Sequence, residues 1–190
     1  MRELGDADPK MLARLEQIVG AQGFVRLILA NGTLVELFRV LRRATPEFRT
    51  ALLDQVTSAQ PEALIDKTIA EGRRMEDLHF ALRSCGAKLE KWLGVEGWLK
   101  LLIGCGSLNA VSQIIQASTN AFRARMIAAA IKLSAEDWVE IINRGLFLNA
   151  CNFVTNDLSS YPTAAREAFR AALELVAAPL AAKATWFDLK

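Results

Sequence analysis

Side-chain amides make the most distinctive chemical pattern in this 190-residue sequence. Asn109, Ser112 and Gln116 are spaced by three and four, and Asn149, Asn152 and Asn156 repeat that spacing 40 residues later. On a helix each trio falls on one face. An amide both donates and accepts, so a row of them can satisfy an extended backbone without demanding a charge. Amides also cost less to desolvate than Lys or Glu. Leu101–Phe122 holds no charged residue, although 23% of the chain is charged. Asn109, Gln116, Asn149, Asn152 and Asn156 are therefore the candidate contact surface for a protein or peptide partner, or for a second copy of the chain. The competing expectation is a covered face in the middle of a helical stack, with the amides capping and bridging.

Residues for catalysis are scarce. The one histidine, His79, lies six positions from Cys85, which puts the two on different faces of a helix. No His and Cys spacing suits zinc. Glu76-Asp77, Glu136-Asp137 and Asp157 read as helix-end acids rather than a paired acid and base. Gly104 and Gly106 form a G-x-G that no strand precedes, so a phosphate loop is not expected. The expectation is a non-enzymatic protein with no cofactor and no metal. Arg49 and Arg123 hold equivalent positions and could begin a basic strip for an acidic peptide; solvated faces with nearby acids are the alternative. Trp98 and Trp138 read as core residues, because Phe24 and Leu64 fill the same repeat position.

The composition agrees. At 52% hydrophobic the chain is too apolar for disorder, and it is long enough for a continuous core. Its net charge of +2 is shared evenly between the halves, which argues against an arm built to neutralise phosphates. Cys85, Cys105 and Cys151 are odd in number and lie among apolar residues, which predicts buried thiols in a reducing compartment. The polar start MRELGDADPK has no apolar stretch of a signal peptide. The uncharged Leu101–Phe122 run is too rich in Gly, Ser, Asn and Gln for a lipid-facing span. A soluble, intracellular protein with no membrane contact is expected.

An internal repeat must hold these residues in place. With Phe24 placed over Trp98, Gly32 meets Gly106, Leu34 meets Leu108, Thr45 meets Thr119, and Phe48-Arg49 meets Phe122-Arg123, all at an offset of 74. Anchors at Phe24, Leu64, Trp98 and Trp138 divide a single domain, 1–190, into a partial unit 9–23 and units 24–63, 64–97, 98–137 and 138–178. The segment 179–190 would be a C-terminal capping tail in which Trp186, Phe187 and Leu189 fold back. Each unit reads as three helices. Helix A stops at a Gly, where Asn31-Gly32 suits a left-handed end. Helix B follows at once, and helix C opens on Thr-Pro-Glu or a similar start, an N-cap with Pro at the first helical position. In the second unit, helix B carries Met75, Leu78 and Leu82, and a shortened helix C covers about Ala87–Leu93. Pro162 opens the last helix C, from about Ala164 to Ala177.

LILANG-TLVELFRVLRRA-TPEFRTALLDQV at Leu27–Val56 and LLIGCG-SLNAVSQIIQAS-TNAFRARMIAAA at Leu101–Ala130 resemble armadillo repeats, and HEAT-like repeats are close relatives. The resemblance covers most of residues 9–178 and implies a right-handed, all-α α-solenoid of about four three-helix armadillo-like repeats. It also implies a protein–protein interaction scaffold, with helix C lining the concave groove. The Trp and Asn pair with which armadillo peptide importers grip their cargo is missing from the third helices near Phe48 and Phe122, so nuclear-signal recognition is not implied. A nucleic-acid-binding helical repeat is the alternative. Leu133-Ser134-Ala135-Glu136-x-x-Val139 resembles repeats of bacterial transcription-activator-like effectors, but the units here are longer and divergent, and the chain is nearly neutral.

Overall fold

The computed structural model describes the backbone of residues 9–72, 78–145 and 147–187. It describes the side chains of residues 13–72, 85–145, 149–150 and 152–178. The side chains of Met75, Leu78, His79, Leu82, Cys151, Trp186 and Phe187, and all of Leu189, lie outside the described residues. Among the described residues there is no strand. The α-helices are α1 (Pro9–Asn31), α2 (Leu34–Arg43), α3 (Pro46–Val56), α4 (Glu62–Ala70), α5 (Leu78–Cys105), α6 (Leu108–Ala117), α7 (Asn120–Ala129), α8 (Ala135–Asn143), α9 (Phe147–Asn156) and α10 (Thr163–Phe187).

Residues 74 apart adopt the same backbone. α1 bends at Gly20 (φ 64, ψ 171) and α5 at Gly94 (φ 61, ψ 174). This is a conformation that only glycine adopts without strain. Each bend splits one long helix into two arms. Thr33 and Ser107, 74 apart, are extended N-caps of α2 and α6. Thr45 and Thr119 cap α3 and α7, and accept from Phe48 N and Phe122 N at 3.3 Å in both cases. The four anchors, Phe24, Leu64, Trp98 and Trp138, are buried to 1% exposure or less.

α5 is the hub. Its arms touch α2, α4, α6, α7 and α8, while α1 packs on α3 and α10 on α8. The core follows the apolar stripes. Leu34, Leu37, Val40 and Leu41 of α2 are buried, as are Leu108, Val111, Ile114 and Ile115 of α6. Trp98 stacks on Phe38 at 6.4 Å. Trp138 packs against Phe153, Tyr161 and Phe169 at 5.1–6.2 Å between ring centres.

Three expectations are corrected. The second unit has no break before Ala87: the helix runs unbroken from Leu78 to the bend at Gly94. Gly86 is tolerated inside it, since an interior Gly costs only about 1 kcal/mol relative to Ala and packing outweighs that. Gly32 is not left-handed; among the described residues only Gly20, Gly72 and Gly94 have positive φ. Gly106 is needed for space, because a Cβ there would stand 2.7 Å from Leu102 Cα. The tail has no separate fold up to Phe187: α10 continues through Pro179 to that residue, and 188–190 lie outside the described residues. Pro179 removes one N–H, but the Ala-rich stretch around it strongly favours helix.

Candidate functional site

α6 and α9 lie side by side, each with its apolar face inward. Leu108, Ala110, Val111, Ile114 and Ile115 bury one side of α6, and Ala150 and Phe153 bury one side of α9. The helical period then turns the amides outward, toward one another. Asn109, Ser112, Gln116, Asn149, Asn152, Asn156 and Asp157 line an open groove of about 400 Å³, with Leu108 and Phe153 among its walls. All five amides expected from the sequence are thus brought together. Asn109, Gln116, Asn152 and Asn156 are exposed, and Asn149 is half-buried.

A short hydrogen-bond chain crosses the groove. Gln116 Nε2 donates to Ser112 Oγ at 3.2 Å, and Ser112 Oγ donates to Asp157 Oδ2 at 2.9 Å. The chain ties α6 to the residue that follows α9. Phe153 belongs both to the groove and to the aromatic cluster around Trp138, so the groove rests on the rigid core. Asp157 and Phe153 were not among the expected site residues. Asp157 stands next to Asn156 and so continues the same face, which is the signal that could have found it.

Arg49 and Arg123 do not line this groove. Arg49 Nε donates to Leu41 O at 2.7 Å and its Nη2 to Ala44 O at 3.1 Å. Arg123 Nε donates to Ile115 O at 2.7 Å and its Nη2 to Ser118 O at 3.4 Å. The four acceptors obey the 74-residue offset. Both guanidiniums close the C-terminus of the preceding helix, where carbonyls lack intrahelical partners and negative potential gathers.

The polar lining of the groove is five amides, the Ser112 hydroxyl and the Asp157 carboxylate, and the described cysteines lie away from it. Cys105 donates to Leu101 O at 3.2 Å, and burial pushes its thiol up to about 11, with the nearby Arg144 charge pulling the other way. Burial likewise raises Cys85, and a buried thiol held protonated is a poor nucleophile. Both cysteines are free. Among the described residues no three His, Cys, Asp or Glu side chains gather as a metal site would require, and no helix is long and apolar enough to cross a membrane. What the groove offers is paired donors and acceptors on a fixed floor, with one carboxylate. No protein-family model, curated protein or solved structure matches the chain.

Proposed function

We propose that this protein is a non-enzymatic interaction module, a right-handed armadillo-like α-solenoid whose α6–α9 groove holds an extended segment of a protein partner. The observation that carries the reading is the gathering of Asn109, Gln116, Asn149, Asn152 and Asn156 around one groove. Amides on two parallel rows can accept the N–H groups and meet the C=O groups of an extended chain, which has both unpaired along its length. Equivalent positions on successive helical units are the usual source of such rows. Asp157 adds an acceptor and a negative charge, which would repel a phosphate backbone; this places a peptide ahead of a nucleic acid. Amides can lose bulk water in such a contact because the partner's backbone replaces the hydrogen bonds that water gave.

The test is panning of a displayed library of extended peptides, followed by Asn149→Arg with Asn152→Glu. Enriched peptides should lose at least about tenfold in affinity, equivalent to about 1.4 kcal/mol, while the melting temperature stays within a degree or two of the parent. Peptides that bind the double variant as well as the parent would overturn the reading. Unfolding of the variant would show that the amides belong to the packed interior.

A further inference from the structure

Three side chains of α5 reach back to the part of the chain before it. Lys88, on the first arm, pairs with Asp54 of α3. Trp92, one turn on, donates Nε1–H to Ala59 O at 2.7 Å. Lys100, on the second arm, pairs with Asp66 of α4. Moved back by 74 residues, these stations are Arg14, Ile18 and Arg26 on α1. The two cations are kept as cations, the large apolar station is kept apolar, and Gly20 lies between them as Gly94 does in α5.

At α1 the same stations make no such contact among the described residues. Arg14 and Arg26 are exposed and make no ion pair among the described residues. Ile18 is 79% exposed, the highest value for a large apolar side chain among the described residues. A lone exposed Ile means little by itself. Here it stands in register with two cations, and the same register forms an internal contact elsewhere in the molecule.

We infer that the α1 face bearing Arg14, Ile18 and Arg26 docks the end of another acidic helical repeat. The partner is a pair of helices that presents two carboxylates and, between them, an apolar surface to cover Ile18, which has no donor for a backbone carbonyl. Asp54 and Asp66 present such a pair of carboxylates to α5. Charge complementarity would select the partner and its register more than it would add affinity, because exposed ion pairs are individually weak. Covering Ile18 would supply the apolar part. A polyanion is a poorer fit: two cations on one helix, with the carboxylate of Glu16 close by, neutralise few phosphates. The amide groove takes no part, so failure of this inference leaves the proposed function untouched.

The test is a tandem protein in which residues 4–77 are repeated ahead of residue 4, so that a copy of Asp54, Ala59 and Asp66 meets the original α1 face. The junction reproduces the native step from 77 to 78. The tandem should melt about 5 °C above the parent. Arg14→Glu with Arg26→Glu in the now internal α1 should abolish most of that gain, and Asp54→Arg with Asp66→Arg in the added copy should restore it. The Arg14 and Arg26 pair of substitutions in the parent should shift melting by about a degree at most. A tandem that gains nothing or fails to fold would overturn the inference, as would charge reversals that cost the parent as much as the tandem. Self-association of the parent that Arg14→Glu with Arg26→Glu abolishes would put a second copy of this chain on the face, and so overturn the choice of partner.

Discussion

Glu90 and Glu16 offer one contact made twice in different surroundings. The two glutamates are 74 residues apart, and each reaches the threonine that caps the helix beside it. Glu90 is 5% exposed; its Oε1 accepts Thr119 N–H at 2.7 Å and its Oε2 accepts Thr119 Oγ1–H at 2.7 Å. Glu16 accepts a single bond, from Thr45 Oγ1 at 3.2 Å, at an exposed site. A hydrogen bond to a charged group is worth about 1.5–3 kcal/mol net, and an exposed contact much less. Glu90→Ala should therefore destabilise by about 3 kcal/mol and Glu16→Ala by less than about 1 kcal/mol. In a chain of this size the corresponding melting shifts are about 9 °C and 3 °C. Glu90→Gln should fall between, because the amide oxygen still accepts the Thr119 N–H but the charge is gone. Urea unfolding followed by far-ultraviolet circular dichroism, with unchanged slope, measures the costs directly. Equal costs for the two alanine variants, or a Glu90→Ala cost below about 1 kcal/mol, would refute the claim that burial sets the worth of this cap.

Trp98→Ala and Trp138→Ala should each cost about 3–5 kcal/mol in denaturant unfolding, as large truncations in packed cores do. Gly94→Ala should cost about 1–3 kcal/mol although no atom stands within 4 Å of the added Cβ, because the penalty is in the backbone at φ 61; crystallography of the variant would show whether α5 straightens. Alkaline pH should destabilise the fold. Cys105 and Tyr161 both hold their protons to higher pH in the folded protein than in the unfolded chain, chiefly through burial. The stability they confer is complete below the ordinary thiol value and declines as pH rises from about 9 toward 11, where the unfolded chain releases its protons first. Melting temperature against pH measures this decline, and Cys105→Ala should flatten its lower part.

Much of the fold was legible in the sequence because its signals are local. Thr45-Pro46 and Thr119 start helices, the apolar stripe of α2 recurs in α6, and the 74-residue offset aligns them. The five amides of the groove were found by period alone, since α6 and α9 share a register. The errors came from glycine, whose roles look alike in a sequence. A separate short helix was expected over about Ala87–Leu93, yet Gly86 lies inside one continuous helix, and Gly32 was expected to be left-handed and is not. Gly20 and Gly94, in runs of unbroken helical pattern, carry the bends. The arginines misled for another reason. In a sequence, a cation at a repeated position looks the same whether it faces a ligand or its own helix end, and only the three-dimensional path to Leu41 O and Ile115 O distinguishes the two.

Several helix ends in this molecule are completed by residues made much later in the chain. Lys67 Nζ donates to Ala30 O at 3.3 Å, and Arg144 Nη1 to Ile103 O at 2.5 Å and Gly106 O at 3.4 Å. Thr68 Oγ1 accepts Leu34 N–H at 3.0 Å, at the buried start of α2. Synthesis runs from the N-terminus, so Ala30, Leu34, Ile103 and Gly106 leave the ribosome with open carbonyls or N–H groups. They stay open until 34–41 further residues have emerged. Each of these helix ends thus reaches its full set of protein hydrogen bonds only once its successor is in place.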